Sequence, residues 1–170
     1  MAATRGLVVA LTVLLAVVLQ VSVFPYLAIA GVAPNLALLV VVAAALVRGP
    51  DLAAVIGFLA GLAVDLAPPA DHVAGRWALA LVLVGYLTGR VRPDARTSAL
   101  AAVVTVAACS FVGTSVYALG GMLLHDPDLS AVDALHVIGV SVGYDVLLTP
   151  FVLPLLIRLF RRLHPQQAAY

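Results

Sequence analysis

From Gly6 to Val47 the chain runs 42 residues without an Asp, Glu, Lys or Arg. A helix that crosses a bilayer needs roughly 20 apolar residues, so this stretch is too long for one crossing and fits two with a turn between them. Pro25, Gly31, Pro34 and Asn35 mark that turn. Further uncharged runs cover Leu52 to Val64, Trp77 to Gly89 and Thr97 to Leu124, and Ala134 to Ile157 carries Asp145 as its one charge. With 64% hydrophobic and 10% charged residues, the chain lies far outside the composition of soluble domains. It reads as an all-α polytopic membrane protein, a single transmembrane domain over 1–170 with spans near 7–26, 34–48, 51–66, 76–91, 98–122 and 134–158.

Spans 2, 3 and 4 are short for a crossing, so the hairpin at "RGPD", Arg48 to Asp51, is open to a partly re-entrant reading. One helix over 34–66 is worse, because it sets Arg48, Pro50 and Asp51 at mid-membrane. The first span is read as uncleaved, its apolar stretch being longer than the core of a secretory signal. Every basic residue is an arginine. Eight of them (Arg5, Arg48, Arg90, Arg92, Arg96, Arg158, Arg161 and Arg162) fall on one side of this topology, and only Arg76 falls on the other. The positive-inside rule makes the arginine-rich side cytoplasmic, with both termini there.

Catalytic patterns are missing. There is no HExxH and no G-x-S-x-G, and Cys109 is the lone cysteine, so an intramolecular disulfide or a Cys-based metal site is excluded. The basic clusters "GRVRP" and "RRLHP" are too small for nucleic acid and suit anionic lipid heads. His125, Asp126, Asp128, Asp133 and His136 gather near one outer loop, with Asp71 and His72 in reach, but an acidic solvated loop is the preferred reading over a metal site. No catalytic residue, metal or cofactor is expected.

Three pairs of glycines stand one helical turn apart within spans: Gly57/Gly61, Gly85/Gly89 and Gly139/Gly143. Such strips let another backbone approach closely. Packing inside the chain's own bundle and docking of another membrane protein are both open to each pair. Asp65, at the outer end of span 3, is either an interfacial charge or a helix-end carboxylate that binds an outer group such as Arg76. Asp145 is different, because it lies at mid-membrane, where a charge costs several kcal/mol unless paired, hydrated or neutralised. It reads as a neutral acid that donates a hydrogen bond toward Gln20, Asn35, Ser110 or Thr114.

"PNLALLVVVAAALVRG", "GFLAGLAVDL", Gly75 with Ala78 and Leu79, "GYLTGRV" and "YDVLLTPFVLPLLIRLFRRL" follow in an order and spacing that resembles the MreD family of bacterial rod-shape-determining membrane proteins. The resemblance implies a compact bundle of six transmembrane helices, similar to the substrate-binding S subunits of vitamin transporters. It implies a non-enzymatic scaffold of the cell-wall elongation machinery in the bacterial cytoplasmic membrane. Its partners would be an MreC-like protein with a single span and, indirectly, MreB filaments, RodA and a class B penicillin-binding protein. The family's glycine-and-aspartate motif falls on Gly57, Phe58, Gly61, Leu62 and Asp65, and its proline motif on Pro150 and Pro154. At position 145 the resemblance implies an uncharged polar residue, where this chain has Asp. On this reading Gly57 and Gly61 serve assembly more than the stability of the chain itself, and Asp65 fixes an outer rim where the partner's membrane-proximal segment docks. The alternative function is a small-molecule-binding subunit of a transporter. That needs an outward cavity with converging polar and aromatic groups, for which Trp77, Tyr26, Tyr117 and the outer aspartates are the few candidates.

Overall fold

A computed structural model of the chain describes residues 2–29, 31–68, 73–91, 98–124 and 130–163. Among the described residues six α-helices fall on the six apolar segments: α1 Ala2–Ser22, α2 Leu36–Arg48, α3 Pro50–Asp65, α4 Arg76–Arg90, α5 Ala99–Leu123 and α6 Ala131–Arg162. A short 3-10 turn, Phe24–Leu27, follows α1, and there is no strand among the described residues. Helices α1, α5 and α6 are long and apolar enough to cross a membrane. Their outward side chains are apolar too: Leu7, Leu11, Leu14 and Leu15 on α1 are all more than half exposed, as are Leu147, Phe151 and Leu155 on α6. In water such faces would be aggregation surfaces, whereas in a bilayer they meet lipid.

Helix α2 is the axis of the molecule. Every residue from Leu36 to Leu46 is buried, as expected of a helix that is hydrophobic all round. Its side chains join one hydrophobic core with Val13 and Val17 of α1, Ile56 and Ala60 of α3, Leu81 and Val84 of α4, Val106 of α5, and Leu153 and Phe160 of α6. Its 13 residues rise only about 20 Å, short of the roughly 30 Å of a hydrocarbon core. Gly49, at φ 92°, ends the helix on the arginine-rich side. That backbone favours glycine, and Pro50 then opens α3 at the position where proline's missing N–H is harmless.

The glycines of α3 and α4 interlock. A Cβ added at Gly57 would land on the Leu81 carbonyl, and one at Gly61 would lie 2.5 Å from the Ala78 backbone. In return, a Cβ at Gly85 would lie 2.5 Å from the Ala53 carbonyl oxygen, and one at Gly89 would land on Pro50. These two strips therefore face each other, in antiparallel register, with backbone against backbone. The pair Gly139/Gly143 on α6 differs, since a Cβ at either would meet nothing within 4 Å.

Candidate functional site

Because α2 is short, it starts inside the bundle, and its first amides cannot reach water. The first N–H groups of any helix lack partners within it, so side chains from other helices must supply them. Asn35 is the N-cap, its Oδ1 accepting from the Leu38 amide at 2.9 Å. Gln20 of α1 accepts from the Ala37 amide at 3.0 Å. Asp145 of α6 accepts from the Asn35 amide at 2.9 Å through Oδ1 and from the Ser110 hydroxyl of α5 at 2.7 Å through Oδ2. Thr114 donates to the Ser110 carbonyl at 2.6 Å and so holds Ser110 in place. Asp145 and Ser110 are fully inaccessible, and Asn35 and Thr114 are buried.

Asp145 thus finds two of the four partners expected of it, Asn35 and Ser110. Its Oδ1 accepts from the Asn35 amide at the positive end of α2, and its Oδ2 pairs with the Ser110 hydroxyl. Gln20 and Thr114, the other two candidates, serve α2 and Ser110 instead.

A second polar group forms the rim at the arginine-poor end. Asp65, 1% exposed, accepts from the amides of Gly75 at 2.8 Å, Trp77 at 3.1 Å and Ala78 at 3.1 Å. It therefore caps the start of α4 from the end of α3, as the helix-end carboxylate that fixes this rim and not as an interfacial charge. Arg76 is also buried, donating through Nε and NH2 to the Tyr117 carbonyl at 3.2 and 3.0 Å, with its guanidinium 4.0 Å from the centre of the Tyr117 ring. Trp77 stacks on the same ring at 4.5 Å. The Tyr144 hydroxyl donates to the Leu27 carbonyl and ties the turn after α1 to α6.

A cavity of about 230 Å³ lies between the α2 cap and this rim, lined among others by Gln20, Asn35, Trp77, Thr114, Tyr117 and Ser141. Trp77 and Tyr117 were legible as aromatic candidates, while Tyr26 stands outside, 88% exposed. The signal for the cavity was weak in the sequence: a Pro-Asn pair before an unbroken apolar run, and one glutamine in α1. No group of three or more His, Cys, Asp or Glu residues that could hold a metal occurs among the described residues. Asp71, His72, Arg92, Arg96, His125, Asp126 and Asp128 lie outside them.

The glycine sites divide in the same way. Gly57, Gly61, Gly85 and Gly89 are consumed by the α3–α4 contact, which corrects the expectation that the Gly57/Gly61 strip serves assembly with a partner; α4 already occupies it. Phe58, on the other face of α3, is half exposed. A family model described as rod shape-determining protein MreD matches residues 2–162. The chain belongs to the MreD family. No curated protein and no solved structure matches it. MreD proteins are membrane proteins that determine rod shape, and the apolar outward faces of α1, α5 and α6 fit that setting. In this MreD-family chain the glycine-and-aspartate motif has a specific structural use: Gly57 and Gly61 set α3 against α4, and Asp65 caps the helix that they hold.

Proposed function

We propose that this MreD-family protein is a six-span, multi-pass subunit of the bacterial inner membrane with both termini in the cytoplasm. In this reading it acts as a non-enzymatic scaffold of the cell-wall elongation machinery. It binds the single span of an MreC-like protein and through it serves MreB filaments, RodA and a class B penicillin-binding protein. The observation that carries the docking site is the difference among the glycine pairs. Two are filled by the chain's own helices, while Gly139 and Gly143 lie open on the outward face of α6, where a second helix can approach closely.

Gly139→Leu with Gly143→Leu is expected to leave the melting temperature of the purified protein within a few degrees of wild type. Co-purification with the MreC-like partner should fall at least tenfold, and cells should round. Wild-type recovery of the partner would move the docking face elsewhere.

The orientation rests on the arginine split, eight against one. In a Cys109→Ala background, single cysteines at the exposed positions Val73 and Leu124 should react with an impermeant maleimide in intact cells. A cysteine at Val91 should react only after lysis. Labelling at position 91 from outside would reverse the topology.

A further inference from the structure

The proline pair of α6 is used neither by the α2 cap nor by the α3–α4 contact. Pro150 and Pro154 stand about one turn apart inside the helix, and they line a groove whose opposite wall is α5 at Ala99 and Ala102. Proline rings and alanine methyls reach out less than leucine or phenylalanine does, so the two helices leave about 280 Å³ open between them. Val103, Leu153 and Ile157 make the walls apolar. From Thr149 to Arg161 the groove follows α6 for about 18 Å. The next residues on each helix, Leu100 and Val104 on α5 and Phe151 and Leu155 on α6, are more than half exposed, so the groove lies beside lipid-facing surface.

One end of it is charged. Arg158 and Arg161 line the groove there; both are exposed, and neither has an ion pair or hydrogen bond among the described residues. No acidic side chain joins them in the lining among the described residues. Ala99, the first residue of α5, is part of the same lining, so the positive end of that helix adds to the arginines. A second groove, between α4 and α5 at Val84, Thr88 and Cys109, has no charged residue in its lining, and nothing there selects an anion.

An apolar slot that ends in two arginines without partners is complementary to an amphiphile with an anionic head. A helix, about 10–12 Å across with its side chains, is too wide for it, whereas a single acyl chain is slender enough. Guanidinium groups bind phosphate oxygens through paired N–H donors, and basic pockets between transmembrane helices hold acidic lipid headgroups. We propose that this groove binds an acidic glycerophospholipid, its phosphate held by Arg158 and Arg161 and one acyl chain laid along Pro150 and Pro154. The groove and its arginines carry this site independently of the scaffold reading.

The test takes the full chain, delipidated in a neutral maltoside detergent, and titrates it with dioleoyl phosphatidylglycerol, dioleoyl phosphatidylcholine or inorganic phosphate, counting bound lipid by native mass spectrometry. Wild type should bind phosphatidylglycerol saturably and roughly tenfold more tightly than phosphatidylcholine, and inorganic phosphate should not displace it. Arg158→Gln with Arg161→Gln should weaken phosphatidylglycerol roughly 10- to 30-fold and erase the preference. Pro154→Phe keeps both arginines, fills the groove from an exposed position and takes a helix breaker away rather than adding one, so the chain should fold and bind both lipids poorly. Arg90→Gln with Arg162→Gln removes the same charge from exposed positions outside the groove and should leave binding nearly unchanged. Equal affinity for the two lipids, displacement by inorganic phosphate, undiminished binding in Pro154→Phe, or equal losses from the two arginine pairs overturns the proposal and leaves Arg158 and Arg161 as general surface charge.

Discussion

Gly57→Leu combined with Gly61→Leu should prevent the protein from accumulating in the membrane in a folded form. The atoms that the new side chains would meet are the Leu81 carbonyl and the backbone of Ala78, and backbone cannot move aside as a side chain can. Helices α3 and α4 would have to part by the width of a side chain along a full turn, losing the close van der Waals contact that holds helices together in lipid. Even Gly57→Ala, whose overpacking costs about 1–3 kcal/mol, should lower the melting temperature in detergent, although alanine returns nearly 1 kcal/mol of helix propensity. The internal control is Gly139→Ala with Gly143→Ala. There the added methyl groups meet nothing within 4 Å, so only the propensity gain remains and the protein should melt at or above the wild-type temperature. Equal melting temperatures for the Gly57/Gly61 and Gly139/Gly143 leucine pairs would rule out the α3–α4 packing.

That contrast also shows where the sequence stops being informative. The six helices were legible because Arg48, Pro50, Asp65, Arg76 and Arg90 punctuate runs that are otherwise apolar, and charge is excluded from lipid-facing helix interiors for strong reasons. The use of each glycine pair was not legible. All three have the same spacing, and in a membrane both faces of a helix are apolar, so no polar stripe reveals which one looks inward. The difference lies in the neighbours: Ala53, Ile56 and Ala60 share the buried side of α3, whereas Leu135, Leu147 and Phe151 share the exposed side of α6. Only packing tells these sets apart.

Asp65 posed a similar ambiguity. A carboxylate at the end of an apolar helix suits both the headgroup region and a buried cap, and the choice depends on how the chain returns after Leu66. It returns so that Gly75, at φ 104°, delivers the amides around it to Asp65. The partners of Asp145 were more accessible to reasoning, because apolar spans hold few polar side chains and buried polar groups must find one another. What could not be read was the cause, namely that α2 is too short to bring its N-terminus to the surface. Asn35 accordingly looked like a turn residue rather than the cap of a buried helix facing a cavity.

Asp145 should therefore tolerate loss of its charge better than loss of its oxygens. In Asp145→Asn the side-chain carbonyl can still accept from the Asn35 amide, and the new NH2 can donate to the Ser110 oxygen, so the geometry of the cap survives. The loss is the attraction between a carboxylate and the α2 N-terminus, about 0.3–2 kcal/mol, offset by the smaller cost of burying a neutral group. Asp145→Leu instead leaves the Asn35 amide and the Ser110 hydroxyl without their shared acceptor in a fully inaccessible position. Each orphaned group costs about 1–3 kcal/mol. The leucine variant should thus melt well below wild type and fail to restore rod shape, while the asparagine variant stays within a few degrees and complements. Ser110→Ala, which removes one partner and leaves the Asn35 contact, should fall between them. If the leucine variant melts like wild type, the cap cluster is not what positions α2. If asparagine fails in complementation as fully as leucine while both remain folded, the charge itself is required, and an ion- or proton-linked role would replace the capping account of this residue.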